Sequence, residues 1–311
     1  MAPLPPTFAD DPHDEPAAII NTVAVQGSPN RLVLNAAGSL LYVASTTLPQ
    51  AITVIDTASM RVLTTIGGVG SPNWLAIHPT APWLYASDNS QASGTPIRVI
   101  DTSTHTVVDQ INVFTTVRGM ALSSNGVRLY VADHGASEVV VIDTSNHQRI
   151  TATAVRYPND ICVAPGNARS HTASIFDDWT CMNLGTNAVV FQTNTVAGEP
   201  TSIAHARFAA RIYITYRDRG ELYIGDTSTA QVSSILSGFL GPWQVAFNTM
   251  REIAYLTETD GDQVSILNTR TQTKTGEITG FNKPRGIAVA PNGRIAYVAN
   301  IGDSTVVEVR L

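Results

Sequence analysis

"KPRGIAVAPNGRIAYVAN" (Lys283–Asn300) runs on as "IGDSTVVEVRL" to Leu311. Three short apolar runs, RGIAVA, RIAYVAN and STVVEVR, are separated by turn-forming residues, the first pair by Pro-Asn-Gly. Runs of this length, rich in Val, Ile and Tyr and bounded by Pro, Gly, Asn and Asp, read as β-strands joined by tight turns. In order they are strands A, B and C of one unit.

The same unit recurs along the chain. The segments SPNRLVL, SPNWLAI, TVRGMAL, YPNDICV, EPTSIAH, GPWQVAF and KPRGIAV align on Pro29, Pro72, Val117, Pro158, Pro200, Pro242 and Pro284, at spacings of 43, 45, 41, 42, 42 and 42 residues. A period in the low forties with four strand signals per unit predicts an all-β, seven-bladed β-propeller of four-stranded blades. Strand C ends in an Asp-Thr turn at Asp56, Asp101, Asp143 and Asp226, with Asn268-Thr269 in blade 6 and Gln192-Thr193 assigned the place in blade 4. These aspartates are turn formers. A fourth strand, D, follows, as in RVLTTI and TVVDQI. The last unit stops after strand C, while Ala17–Val25 is an unpaired strand before blade 1. It is therefore expected to complete blade 7 and close the ring, removing the open sheet edges. The expected organisation is a disordered tail over 1–16 and a single propeller over 17–311.

Composition narrows the partners. The formal net charge is −6, the pI is about 5.6, and only 14% of residues are charged. No Lys/Arg cluster offers a face for nucleic acid. No apolar run reaches a membrane span. The opening MAPLPPTFADDPHDEP lacks the basic start and apolar run of a signal peptide. High Ser and Thr content favours a secreted or periplasmic setting, with a leader removed, over the cytoplasm. Nothing in the sequence demands an oligomer, and a monomer is expected. Cys162 and Cys181 fit neither a disulfide framework nor a zinc motif; placed on neighbouring strands, they are either a single bridge or two buried thiols.

Tyr297-Val-Ala-Asn300, with Tyr42-Val-Ala and Tyr130-Val-Ala-Asp133, resembles the YVTN-type family of seven-bladed propellers over nearly the whole chain after residue 17. The family implied is lactonase-like and surface-layer-like, so the resemblance speaks for fold more than for chemistry.

Topology then sorts residues by face. Strand A lines the central channel, and the D-to-A and B-to-C connections share the face where propeller ligands bind. The belt at that mouth is predicted to comprise Asn30, Asn73, Arg118, Asn159, Thr201, Trp243 and Arg285, then Arg31, Trp74, Gly119, Asp160, Ser202, Gln244 and Gly286, then the strand B ends Ser45, Asp88, Asp133, Asn183, Tyr216, Glu258 and Asn300. Of the histidines, His13 lies in the tail, His78 and His205 late in strand A or just past it, His105 and His147 in C-to-D turns, and His171 in an A-to-B loop. That loop, APGNARSHTASIFD, is read as a blade 4 insertion. His134 alone falls on the mouth face.

These groups suggest an enzyme acting on a cyclic or acidic small molecule, by lactone hydrolysis or by a lyase or isomerase step. Arg31, Arg118 and Arg285 would hold an anion or developing oxyanion; Trp74 and Trp243 would wall a ring. Asp88, Asp133, Glu258 or His134 would be the acid or base, with Arg118 assisting. Asn30, Asn73, Asn159, Asp160, Asn183, Tyr216 and Asn300 would complete the substrate site. No cofactor is demanded; Ca²⁺ at the mouth is the one ion the oxygen donors would suit. No Gly-x-Ser-x-Gly or His-Glu-x-x-His motif supports a serine triad or a zincin. The alternative is a non-catalytic binding scaffold, surface or envelope associated.

Overall fold

The computed structural model describes residues 16–91, 94–112, 114–175, 179–193 and 198–311. The expected tail therefore lies, apart from Pro16, outside the described residues, as does His13. The described residues form seven four-stranded antiparallel sheets, the six blades after the first strand each taking four consecutive strands. Blade 1 is Pro29–Leu34, Leu40–Ser45, Ala51–Asp56 and Arg61–Ile66, and the pattern repeats to blade 7, Pro284–Val289, Ile295–Asn300 and Thr305–Arg310. The fourth strand of blade 7 is β1, Ala18–Ala24, paired antiparallel with Thr305–Arg310 from Ala18↔Arg310 to Ala24↔Thr305. The N-terminal strand closes the ring, as the repeat count requires. Among the described residues, no helix is long and apolar enough to cross a membrane.

The core lies between blades. Each of seven apolar clusters joins two neighbouring sheets, as Tyr42, Val54 and Ile66 of blade 1 meet Leu75, Leu84 and Ile100 of blade 2. The third residue of strand B carries much of this packing. It is Tyr42, Tyr85, Tyr130, Tyr213, Tyr255 and Tyr297 in six blades, none more than 4% exposed.

Blade 4 differs from its expected layout. Its strands are Pro158–Val163, Arg169–Ser174, Trp179–Asn183 and Val189–Thr193. Strand B is RSHTAS, inside the segment read as a long loop, and the A-to-B turn is five residues (164–168), like the others. Asn183 therefore ends strand C, on the face opposite the mouth, where its Oδ1 accepts the Gly185 and Thr186 N–H groups. It does the work of Asp56 and Asp226, and Gln192-Thr193 belongs to strand D. His171 is a buried strand B residue occupying the tyrosine position. Cys162 and Cys181 are its register partners on either side, two strand spacings or ~9–10 Å apart. That exceeds disulfide reach, and both are free thiols.

Candidate functional site

Seven strands A converge on the axis, and their first residues surround a cavity of about 780 Å³ at the channel mouth. Strand A starts at each marker Pro, whose missing N–H costs nothing at a strand's first residue. The next residue faces the channel. Asn30, Asn73, Arg118, Asn159, Thr201, Trp243 and Arg285 all line the cavity, joined by Arg31 and Trp74 one residue deeper.

Hydrogen bonds link this ring across blades. Arg285 Nη1 donates to Asn30 Oδ1 (3.2 Å), and Asn30 Nδ2 donates to Asn73 Oδ1. Arg118 Nη1 donates to Asn159 Oδ1 (3.3 Å), Asn159 Nδ2 to the Pro200 carbonyl, and Thr201 Oγ1 to the Pro242 carbonyl (3.1 Å). Below them Arg31 crosses the channel from blade 1 to blade 5, its Nη2 donating to the Thr201 carbonyl at 3.0 Å. Two guanidinium–indole stacks frame the floor: Arg31 over Trp74 at 3.8 Å and Arg285 over Trp243 at 4.0 Å. Arg217 approaches Trp243 at 5.5 Å.

The cavity brings together four guanidinium groups, Arg31, Arg118, Arg217 and Arg285, and three carboxylates, Glu199, Asp218 and Asp260. Among the described residues no carboxylate lies within ion-pair distance of Arg31, Arg118 or Arg285; Arg217 pairs with Asp260 at 3.1 Å. Burial lowers the Arg31 guanidinium to about 10, with Asp160 opposing and Arg285 adding to the shift; it stays charged at neutral pH. Burial raises Asp160 to about 6, against the pull of Arg31 and of the Ile203 and Ile161 N–H groups. Asp160 bridges strands A of blades 4 and 5 and does not line the cavity. Among the described side chains lining the cavity, three buried donors have no partner: Arg31 Nε, Arg285 Nε and Trp243 Nε1.

The strand B ends are placed otherwise. Asp88, Asp133 and Glu258 have no exposure and face away from the cavity, into the incoming D-to-A loop. Asp133 accepts the Thr115 and Thr116 N–H groups, both at 2.8 Å. Glu258 accepts the Leu240 N–H (2.7 Å) and hydrogen bonds from Gln263 and Ser265. Asp88 accepts from the Ser71 N–H, from Ser90 and from Arg98, at 2.7 Å to Nη2. Burial alone would raise the Asp88 carboxyl, but these donors together hold it below the usual range. Tyr216 (0% exposed) and Asn300 (2%) are likewise buried off the cavity. The reason is register: each strand B end pairs with the marker residue of strand A, as Asp88 does with Pro72 and Asp133 with Val117, so their side chains share the face turned from the channel.

One position further on, the side chain turns inward. Thr46, Asn89, Ile175 and Arg217 line the wall there, with Asp218 and Asp260 beyond them and Glu199 entering from the loop before blade 5. None was in the expected set; the period-2 alternation of strands would have found Thr46, Asn89 and Arg217, while Ile175 follows the strand of blade 4 read as a loop. His134 holds the equivalent place in blade 3 but leans onto the rim. Its Nδ1 lies 3.3 Å from the Pro158 carbonyl and its ring packs on Tyr157 at 5.5 Å. Burial, then the Arg118 charge, lowers its pKa. Of the oxygen donors that would suit calcium, Asn30, Asn73 and Asn159 line the cavity, whereas Asp88, Asp133 and Glu258 are turned from it and Asn183 lies on the opposite face; no group of three His, Cys, Asp or Glu residues placed to hold a metal occurs among the described residues.

Comparison with known proteins adds a family resemblance over part of the chain. The model described as "Lactonase, 7-bladed beta-propeller" matches residues 41–175. The chain resembles the seven-bladed lactonase propellers. It is 30% identical over 155 residues to the seven-bladed β-propeller protein Rv1057 of Mycobacterium tuberculosis, covering 49% of this chain and 37% of that protein. It is 29% identical over 124 residues to the uncharacterized protein YncE of Salmonella typhi, covering 38% and 34%. The matches thus span little more than a third of these curated relatives' length. Among solved structures, Kuenenia stuttgartiensis hydrazine synthase superposes with a TM-score of 0.82 at 16% identity, covering 93% of this chain and 97% of that one. The Cps50 (Swd1) β-propeller domain of Myceliophteria thermophila superposes at 0.79 and 13% identity, covering 95% and 100%. At these identities the likeness is one of fold.

Proposed function

We propose that the channel mouth binds a small organic anion with a flat, ring-like body, and that the lactonase-like reading is the catalytic form of this binding. One observation carries the proposal. Arg31, Arg118 and Arg285 meet on one cavity with Trp74 and Trp243, without carboxylate partners, and with buried N–H donors left unpaired. Leaving a buried donor unpaired costs about 1–3 kcal/mol, which a bound carboxylate or ester oxygen would relieve. Lactone opening places negative charge on the former carbonyl oxygen, where preorganised guanidinium donors act best. Glu199 and Asp218 are the wall carboxylates outside the Arg217–Asp260 pair, and either would serve as the base that takes a proton from water; a lyase or isomerase step would use the same groups.

A non-catalytic binder is the second reading. It is favoured by the commitment of Asp88, Asp133 and Glu258 to backbone hydrogen bonds. The two separate on a panel of lactones and cyclic acids, followed by turnover and by tryptophan fluorescence. Arg118→Ala is expected to weaken binding by roughly tenfold or more, the worth of a charge-assisted hydrogen bond. Turnover lost in Glu199→Gln or Asp218→Asn with binding retained supports the enzyme. Binding without turnover supports the scaffold. Binding indifferent to Arg118 and Arg285 removes the mouth from either.

A further inference from the structure

The face opposite the mouth carries seven A-to-B turns, each five residues long. Those of blades 1, 3, 4 and 7 contain Gly, and that of blade 2 contains two prolines. The turns of blades 5 (ARFAA, 206–210) and 6 (NTMRE, 248–252) contain neither. They present Phe208 at 52% and Met250 at 69% exposure, and between these blades lies a cleft of about 160 Å³ lined by Arg207, Arg211, Arg251 and Arg270.

Arg211 has a task in the fold. Its Nη1 donates to the Thr269 carbonyl at 2.9 Å, the staple to the next blade that Arg128 makes to Leu184 and Arg169 to Thr227. The equivalent cleft between blades 3 and 4 has Arg128 as its one charged lining residue. Arg207, Arg251 and Arg270 are therefore surplus to the staple. Their local counter-charge is Glu252, 3.7 Å from Arg270 in a pair 71% and 50% exposed, and an exposed pair of that kind is weak. Four guanidinium groups around one cleft repel each other, on a chain whose net charge is −6.

We propose that this cleft docks an acidic peptide segment, with carboxylates in the arginine forks and an apolar side chain against Phe208. The cleft is below the ~300 Å³ at which small-molecule sites begin, but it admits a carboxylate, and the planar guanidinium binds one bidentately. Arg and aromatic anchors are the residues on which protein contacts concentrate. A suitable probe is written in the chain itself: Thr7–Pro16, TFADDPHDEP, holds four carboxylates and a phenylalanine.

The test is fluorescence anisotropy of that labelled synthetic peptide with the full chain. Binding is expected to weaken by roughly tenfold or more in the Arg207→Glu/Arg251→Glu variant, and on raising salt, as charge-led contacts do. Arg270→Gln is expected to give a smaller loss in the same direction, and it decides the matter should the double variant fail to fold by circular dichroism. Arg118→Ala, at the mouth, is expected to leave binding unchanged. The proposal is overturned by equal binding to wild type and the arginine variants, by equal binding of a peptide with its carboxylates changed to amides, or by loss in Arg118→Ala instead. It also falls if the peptide binds neither wild type nor a full-length receptor whose own Asp10, Asp11, Asp14 and Glu15 are changed to amides.

Discussion

Asp133 shows what a single buried carboxylate does here. It has no exposure, and its two oxygens take the Thr115 and Thr116 N–H groups of the loop entering blade 3. Asn at this position keeps the shape but offers one acceptor oxygen, so one loop N–H loses its partner. Asp133→Asn is therefore expected to cost about 1–3 kcal/mol of stability, read as a fall in denaturant midpoint, while affinity at the mouth stays near wild type. A collapse of ligand affinity with unchanged stability would instead put Asp133 in the binding chemistry. Two buried titratable groups give opposite pH dependences. His171 is pushed down to about 3, mainly by burial, then by His205 and Arg169. Its folded value lies below its unfolded one, so its stability contribution is present above pH ~6.5 and is lost as pH falls toward 3. Asp160 is raised to about 6, so its contribution is present below its unfolded value and is lost as pH rises through 6. Between pH 4 and 6 the two oppose, each with a slope on the order of 1 kcal/mol per pH unit. Asp160→Asn removes one of them. The variant is expected to lose stability more steeply than wild type as pH falls from 6 to 4, and parallel urea midpoints across that window would show that Asp160 does not titrate there.

At the scale of the strand, legibility followed the repeat. Where Tyr-Val-Ala recurs, strand B could be placed from the sequence, and the start of strand A gave the mouth ring from Asn30 to Arg285. Blade 4 hid its strand B because the marker tyrosine is His171 and its apolar neighbours are Cys162 and Cys181. The missing ring volume is supplied by Trp179, whose Nε1 donates to His171 Nδ1 at 3.0 Å. A Cβ on Gly225, in strand C of blade 5, would overlap the Trp179 ring. Trp179, His171 and Gly225 thus form one packing solution spread over two blades, invisible to an alignment of single positions. Gly225→Ala is expected to destabilise by about 1–3 kcal/mol through overpacking. Trp179→Phe should recover part of that loss in the double variant, and additive thermal shifts would refute the coupling. The strand B carboxylates misled for a related reason: their place along the chain is at the mouth end, but the pairing register turns their side chains away from it.

For the whole molecule, the decisive contact is between the two ends of the described chain. β1 pairs along Thr305–Arg310, and Asn21 Nδ2 donates to Glu308 Oε2 at 2.6 Å. Its side chains reach both ways round the ring: Ile19 packs in the cluster between blades 6 and 7, and Val23 with Val25 in the cluster between blades 7 and 1. Removing residues 1–25 would strip the outer strand from blade 7, expose Thr305–Arg310 as a new sheet edge, and open two of the seven inter-blade interfaces. A ring in which each blade is held by its two neighbours transmits that loss beyond the seam. The truncated chain is expected to be aggregated or largely unfolded at a temperature where the full chain is intact, by size-exclusion chromatography and circular dichroism. Adding a synthetic Ala17–Val25 peptide is expected to recover soluble, folded protein, since strand addition to a free edge re-forms the backbone ladder. A truncated chain that melts as the full chain does would show that six complete blades and three strands suffice, and that β1 is an ornament of the seam.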